Sequence, residues 1–491
     1  MLQIILCLLI PFMILGYIFL WVPLRLQAHF RAQGVSGPNY RPLFGNTSEI
    51  RRLHSAAQSL PLSNSDHDVL HILLPFYTLW SRMYGKTFLF WFGWQPRLAI
   101  SDPQLIKHIL LNTGTLSIEL PTKKPITRLL FGEGLPSLRG EQWHRHRRFI
   151  SPAFQIERVK SWVPEIAAIT AKMFQKWESM RERTETFEIE VEEQFHILSG
   201  DVIAQAAFGS SYEEGKKVFD LQQKLVLLAP QYLRRVYFLG HRFLPTRTNR
   251  ELWKIDKEIH RLLRNLMAEK WDSNEGNLLA LMMADGQLRE KEVIDEIKTF
   301  FVAGKETTAT LMSWVIFCLA VHQDWQEKAR GEALLVLPSS AVPSGAVINE
   351  LKIIGMVINE TLRLYPPVVM LRRRALSEIR VGEMHVPAGT EFYLPMAAVQ
   401  RDPDVWGEDA NCFNPARFGH TRQHLGAFAP FSLGPRICVG QNLAIVEAKT
   451  VLAMILTRYS FVISPTYVHS PALFLTMHPT HGMHILFSKF Q

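Results

Sequence analysis

Residues 431–440 read Phe-Ser-Leu-Gly-Pro-Arg-Ile-Cys-Val-Gly. Cys438 sits between Gly434 and Gly440, with Arg436 two positions before it. A cysteine binds soft or borderline metals as the thiolate, so it must lose its proton to do so. Glycine adopts backbone conformations closed to other residues and lets a flat ligand approach the chain closely. The following stretch, Gln441–Leu456, lacks Gly and Pro and reads as a helix, which places Cys438 beside a helix N-terminus. Free N–H groups and the helix dipole favour negative charge on sulfur there. Arg436 can pair with an anionic group of the ligand. Most lone cysteines are small buried hydrophobes; it is the spacing around this one that carries information.

Other clusters complement this stretch. Residues 140–148, Gly-Glu-Gln-Trp-His-Arg-His-Arg-Arg, begin a cation-dense helix in which Trp143 and Arg147 share a face. They suit an acidic, flat ligand, the alternative being a solvated basic face; Arg145 and Arg148 are left over for an acidic partner. Residues 290–323 read as one long helix centred on Phe-Val-Ala-Gly-Lys-Glu-Thr-Thr (301–308). A glycine costs about 1 kcal/mol against alanine in a helix, and the two threonines add to that. The segment therefore reads as a functional distortion where a ligand or water replaces a backbone bond, or as Thr307 bonding back to its own helix. Glu360 and Arg363 are three apart on a predicted helix among apolar residues. A buried pair is expected, where losing one partner costs several kcal/mol. Phe-Asn-Pro-Ala-Arg-Phe (413–418) adds Arg417, and Arg372–Arg374 form a basic run.

Along the rest of the chain, Thr87–Ile100 has the aromatic and β-branched content of two strands about a Gly-containing turn, and Ser101-Asp102-Pro103 opens a helix. Residues 112–138 read as a long functional loop without regular structure. Residues 156–270 read as helical, with an apolar–basic connection over Pro230–Pro245. His478, His481 and His484 are three apart, but Pro479 and Gly482 interrupt the helix that such spacing needs, which argues against a metal site.

The 491 residues allow a large core and show no internal linker at which to divide it. Four scattered cysteines (Cys7, Cys318, Cys412, Cys438) are no disulfide framework, so a reducing compartment is expected. The net charge of +9 suits an anionic membrane surface or an acidic protein. Zinc spacings, basic-zipper heptads and aromatic RNA-binding motifs are absent from the sequence, so nucleic acid is not an expected partner. Met1–Val22 is apolar apart from Gln3, and arginines follow it. It reads as a signal anchor with the body facing the cytosol, not a cleaved signal peptide. Residues 23–46 then form a basic Pro/Gly neck, and residues 47–491 one catalytic domain. Asn46-Thr47-Ser48 and Asn359-Glu360-Thr361 match glycosylation acceptors by chance.

The cysteine stretch resembles the haem-thiolate loop of cytochromes P450, Phe-x-x-Gly-x-Arg-x-Cys-x-Gly, at all five positions: Phe431, Gly434, Arg436, Cys438 and Gly440. Residues 143–147 resemble the family's Trp-x-x-x-Arg motif, and 303–308 its oxygen-activation motif. Glu360–Arg363 and Arg417-Phe418 resemble its Glu-x-x-Arg helix and Arg-Phe segment. Finer features at His29, Tyr84 and His144 are similar to a plant clan with brassinosteroid-inactivating and cytokinin-hydroxylating members. Gln400 departs from the histidine that relatives usually carry.

The resemblance implies a mainly helical fold with small β-sheets and haem b between the long helix and the cysteine loop. Cys438 would be the axial ligand of the iron. Trp143, Arg147, Arg373 and Arg436 would bind the propionates. Gly304 would leave room for O2, Thr307 would hold a water or bound oxygen, and Glu306 would link to a proton supply. Glu360, Arg363 and Arg417 would brace the fold. The implied reaction is monooxygenation of a hydrophobic small molecule (steroid, terpenoid or fatty acid) on the endoplasmic reticulum membrane, with Leu475–Met477 near the substrate. The chain lacks Gly-x-Gly-x-x-Gly before a helix, so electrons are expected from NADPH–cytochrome P450 reductase. A reductase-independent isomerase or dehydratase of the same fold, and a non-catalytic membrane-anchored haem or lipid binder, are the alternatives.

Overall fold

The computed structural model describes residues 10–58, 62–63, 66–114, 117–121, 125–181, 185–208, 212–233, 244–269, 278–283, 288–337, 343–419 and 426–490. Among these the chain is mainly helical. Its strands, in chain order, are β1 (Thr87–Phe92), β2 (Gln95–Ile100), β3 (Ile118–Glu119), β4 (Thr186–Glu190), β5 (Leu371–Ala375), β6 (Ile379–Val381), β7 (Met384–Val386), β8 (Glu391–Leu394), β9 (Tyr459–Ile463), β10 (Pro471–Leu473), β11 (Met477–Pro479) and β12 (His484–Lys489). β1 and β2 form the expected hairpin, with Thr87 opposite Ile100 and Phe92 opposite Gln95. They belong to a five-stranded sheet of order β1-β2-β8-β5-β3. The segment around Leu475–Met477 forms the hairpin β10–β11, closed by Phe474 N–H donating to the Thr476 carbonyl.

Local chemistry sets the helix ends. The Asp102 carboxylate accepts from the N–H groups of Gln104 and Leu105, both at 2.9 Å, and Pro103 occupies the first turn of Pro103–Leu111. The predicted helix carrying Glu360 and Arg363 spans Lys352–Leu364, and the one predicted at Gln441–Leu456 forms with those bounds. The long helix spans Glu290–Val321 and is α-helical throughout. The expected distortion at its centre is absent. Burial of nearly all its other residues outweighs the poor propensity of Gly304, Thr307 and Thr308, since propensity is a weak prior against packing.

Three other expectations are corrected. Residues 112–138 are not an irregular loop: they contain β3 and the helix Pro125–Phe131, docked on the long helix where Glu296 accepts from the Leu135 N–H at 2.9 Å and Thr299 Oγ1 donates to the Phe131 carbonyl. The helical region after Ile156 contains β4, whose Thr-Phe-Glu-Ile-Glu alternation buries Phe187 and Ile189 and which pairs with β12 near the other end of the chain. The apolar N-terminal helix does not stop at Val22 but runs over Ile10–Ala32. Met1–Leu9 lie outside the described residues, as do 234–243 of the Pro230–Pro245 segment.

The helix Ile10–Ala32 is long and apolar enough to cross a membrane. Tyr17–Trp21 are π-helical, and the Phe19 carbonyl there accepts from Tyr40 Oη at 2.7 Å. Its far end packs on the body: Phe30 is fully buried, in a cluster with Tyr40, Leu89, Trp91 and Phe392. So residues 23–32 of the expected neck are helix, and only the stretch after them has the irregular backbone that its Pro and Gly residues suggest. Asn46 is buried, donating to Asn39 O and accepting from Trp91 N–H, which agrees with no glycan there.

Candidate active site

The cysteine loop is held open by two glycines with different reasons. Gly434 has φ +71°, and a Cβ on it would lie 2.6 Å from the Leu110 carbonyl oxygen, so both conformation and space demand glycine. Gly440 has an ordinary φ of −89° as the N-cap of Gln441–Leu456, and a Cβ there meets nothing within 4 Å. The expectation that both glycines supply special backbone geometry therefore holds for Gly434 alone; Gly440 keeps the space in front of the helix clear. The Cys438 N–H donates to the Phe431 carbonyl at 2.9 Å and closes the loop.

Cys438 is accessible by surface measure, yet protein surrounds it on almost every side, so its thiol faces an internal cleft. Burial pushes the thiol's pKa up; the Gly440 N–H and Arg147 pull it down without winning. The expected helix-terminus stabilisation is present but does not by itself ionise the sulfur. A metal has to complete that. Every residue of the long helix from Val293 to Ala320 is buried except Ala303, Gly304 and Thr307. These mark the one open stripe at the centre of that helix.

Around the loop the predicted cations converge. Arg147 donates to the Ile437 carbonyl at 2.9 Å. The Arg436 guanidinium stacks over Trp143 at 4.2 Å and donates to Glu119 and to the Leu138 carbonyl at 2.8 and 2.9 Å. Arg373, in β5, donates to Thr113 Oγ1 and Ser432 Oγ at 2.9 and 3.1 Å. Burial, with Arg436 close by, lowers Arg373 to about 10 despite Glu119. Arg139 and Arg147 act on Arg436 in the same sense. Arg436 and Arg373 thus share the Glu119 carboxylate, with Arg139 and Arg147 close to Arg436, and Arg436 Nε is buried without a hydrogen bond. That surplus fits a ligand carrying carboxylates, as haem does, beside a thiol aimed into a cleft. Arg145, expected to be free for a partner, is instead paired with Glu292 at 2.7 Å; Arg148 stays exposed.

The brace forms as predicted. Arg363 makes a bidentate pair with Glu360, both bonds 2.7 Å, and donates to the carbonyls of Gln400, Ala410 and Cys412. Arg417 reaches the same carboxylate at 3.1 Å and Asp409 at 2.9 Å. Glu360 and Arg363 are fully buried and fully bonded, the condition under which a buried pair is tolerable. Gln400 fits its position: Nε2 donates to the Leu362 and Arg363 carbonyls.

The oxygen-motif residues divide. Thr307 Oγ1 donates to the Ala303 carbonyl at 2.7 Å, the back-bonded arrangement. A Cβ on Gly304 would lie 2.9 Å from Ile203, so this glycine also lets the helix Val191–Phe208 pack closely. Glu306 is buried beside two histidines, with His196 Nδ1 at 3.8 Å and His478 Nε2 at 3.5 Å. Burial alone would raise Glu306, but its cationic surroundings hold it down to about 2. His196 is lowered to about 4 by burial and is neutral at pH 7, so it cannot supply that charge. His478 does, with Lys305: burial would lower it, but Glu192 and Glu306 raise it to about 9. The sequence reading missed His196 and Glu192. Both come from a helix whose sequence carries no motif, and Glu192–His196 at four-residue spacing was the available signal.

The cytochrome P450 family model matches residues 67–486. Cytochrome P450 734A6 of Oryza sativa subsp. japonica is 42% identical, covering 95% of this chain and 92% of its own. Cytochrome P450 734A1 of Arabidopsis thaliana is 40% identical (96% and 93%), and Cytochrome P450 709B3 of the same plant 36% (96% and 94%). The cysteine loop, the guanidinium cluster and the long helix all lie within the matched residues, and this chain belongs to the cytochrome P450 family, the haem-binding monooxygenases.

Proposed function

We propose that the protein hydroxylates a hydrophobic small molecule of steroid, terpenoid or fatty-acid type, anchored in the endoplasmic reticulum membrane and fed electrons by NADPH–cytochrome P450 reductase. The observation that carries the substrate class is a cavity of about 400 Å³. Leu120, Pro121, Val369, Met370, Leu473 and Leu475 line it, with Arg373 at one wall. Cavities of this size and lining take lipophilic ligands, with a few polar groups fixing orientation. The likeness to the 734A proteins and to the clan with brassinosteroid-inactivating members favours the steroid class.

In this reading Cys438 binds the haem iron, and Arg147, Arg373, Arg436 and Trp143 hold the propionate edge. Phe431 and Gly440 shape the loop against the ring. Bound haem supplies the activation of O2, one atom entering a C–H bond and the other leaving as water. The chain's part is to position and to handle protons. Ala303, Gly304 and Thr307 form the wall opposite the thiolate. Turning the Thr307 hydroxyl away from the Ala303 carbonyl frees it to donate towards the cleft, and Glu306 is the carboxylate next to it in the chain. Retention of this threonine and of the whole cysteine loop favours monooxygenation over reductase-independent isomerisation. Membrane preparations with reductase, NADPH and a panel of these lipids test it. Hydroxylated product is expected only with reductase, and Cys438→Ala abolishes it along with the thiolate-type spectrum of the carbon-monoxide complex. Product formation without reductase, or by the cysteine variant, overturns the reading.

A further inference from the structure

Glu192 and His196 are four residues apart on the helix Val191–Phe208, so their side chains share a face. His478 of β11 meets that face. Its Nδ1 lies 2.5 Å from Glu192 Oε1, and its ring stacks on that of His196 with centroids 5.7 Å apart. One donor atom from each of the three lies within 4.8 Å of the other two. Two buried polar atoms here have no hydrogen bond, His196 Nδ1 and Glu306 Oε2. Glu306 is only 3% exposed, and its carboxylate points between the two histidines. Buried polar atoms left unanswered in this way are destabilising, which a ligand would relieve. Behind His478, Thr476 Oγ1 lies 2.7 Å from Nε2 and orients the ring, as outer partners of metal-bound imidazoles do.

We infer that Glu192, His196 and His478, the last through Nδ1, form a site for a divalent transition-metal ion of the zinc type, with Glu306 a nearby countercharge on the Nε2 side of the His478 ring. Two imidazoles and a carboxylate suit zinc and its neighbours, whereas magnesium and calcium prefer oxygen alone. Donors at about 2.0–2.2 Å from a tetrahedral ion stand about 3.3–3.6 Å apart. Closing this triangle needs side-chain adjustment of about an ångström and no backbone break. Two carboxylates balance the ion's charge. Such an ion ties the C-terminal β10–β11 hairpin to the helix Val191–Phe208 through one centre. The three histidines near the C-terminus do not make this site together: His484 Nδ1 lies 3.1 Å from Glu188. Only His478 takes part, and its partners come from far upstream.

The test uses the full-length, haem-loaded protein in detergent, cleared of loose metal with a chelator and dialysed against Zn(II). About one zinc per chain is expected beside the haem iron, with nitrogen and oxygen neighbours at about 2.0–2.2 Å in zinc K-edge absorption. His196→Ala combined with His478→Ala weakens zinc binding by at least about tenfold. Cys412→Ser and His322→Ala leave it unchanged; they remove the exposed thiol and one half of the His67–His322 contact, the competing zinc-seeking groups. The haem spectrum reports folding of each variant. If the double variant loses haem, Glu192→Gln and His196→Gln carry the comparison and are each expected to weaken binding. No zinc on the wild type, sulfur in its shell, or unchanged affinity in the ligand variants overturns the assignment.

Discussion

Thr307 shows how one residue can satisfy two readings. Its hydroxyl is bonded to Ala303 O, so the helix stays regular, yet the residue lies on the half-buried stripe that the proposed function sets opposite Cys438. Thr307→Ala is therefore expected to leave the fold intact, since alanine is the better helix former. It should lower product per NADPH by at least about tenfold, measured as product and NADPH consumption in the same reaction. Equal yield in variant and wild type removes Thr307 from proton handling. The two loop glycines allow a second contrast. Gly434→Ala forces a side chain into a positive φ and against the Leu110 carbonyl, and should cost at least about 2 kcal/mol in thermal unfolding. Gly440→Ala meets no such obstacle and should stay within about 0.5 kcal/mol, while haem content drops as the methyl group occupies the face of the ring. A wild-type haem content in Gly440→Ala means the ring does not approach there.

At the scale of elements, the helices around the cleft are joined by polar contacts that sequence spacing does not reveal. Ser199 Oγ donates to Glu447 Oε1 at 2.6 Å, linking Val191–Phe208 to Gln441–Leu456. Glu447 is buried with this one hydroxyl against it, and burial raises its pKa from 4.5 to about 8. The folded protein then keeps a proton that the unfolded chain loses. The contribution is full below pH 4.5 and falls by about 1.4 kcal/mol per pH unit until about pH 8. Glu447→Gln should remove that slope. The variant's thermal stability relative to wild type is expected to rise between pH 5 and pH 8, read as the difference between two melting curves at each pH. A difference that does not change with pH shows that Glu447 is ionised in the folded state. The 3.6-residue pattern made the helices themselves readable. β3 and β4 were not, because their partners lie far along the chain and two to five residues carry little periodic signal.

For the whole molecule, the join between the apolar helix and the body is the feature with a direct test. Phe30 is fully buried, and the Gln27 side chain accepts from the Tyr40 N–H at 3.0 Å. A chain beginning at Pro23 keeps these contacts; one beginning at Gln33 loses them. Burying a phenylalanine stabilises by about 1.5–3 kcal/mol, so the shorter chain should melt about 2–4 °C lower. Identical melting of the two truncated forms would show that the helix end is only loosely attached.

The sequence by itself determined the cofactor class, because the thiolate loop depends on fixed spacing of a few residue types within ten positions. It also determined the long helix, the Glu360–Arg363 pair and the strand pair at Thr87–Ile100, all local patterns. Only the tertiary structure decided that Arg145 is tied to Glu292, that the long helix passes undistorted through Gly304, and that His478 faces Glu192, His196 and Glu306. Those outcomes depend on which surfaces the folded chain presses together. Burial changes the energy of a glycine, a guanidinium or an imidazole by more than local preference does.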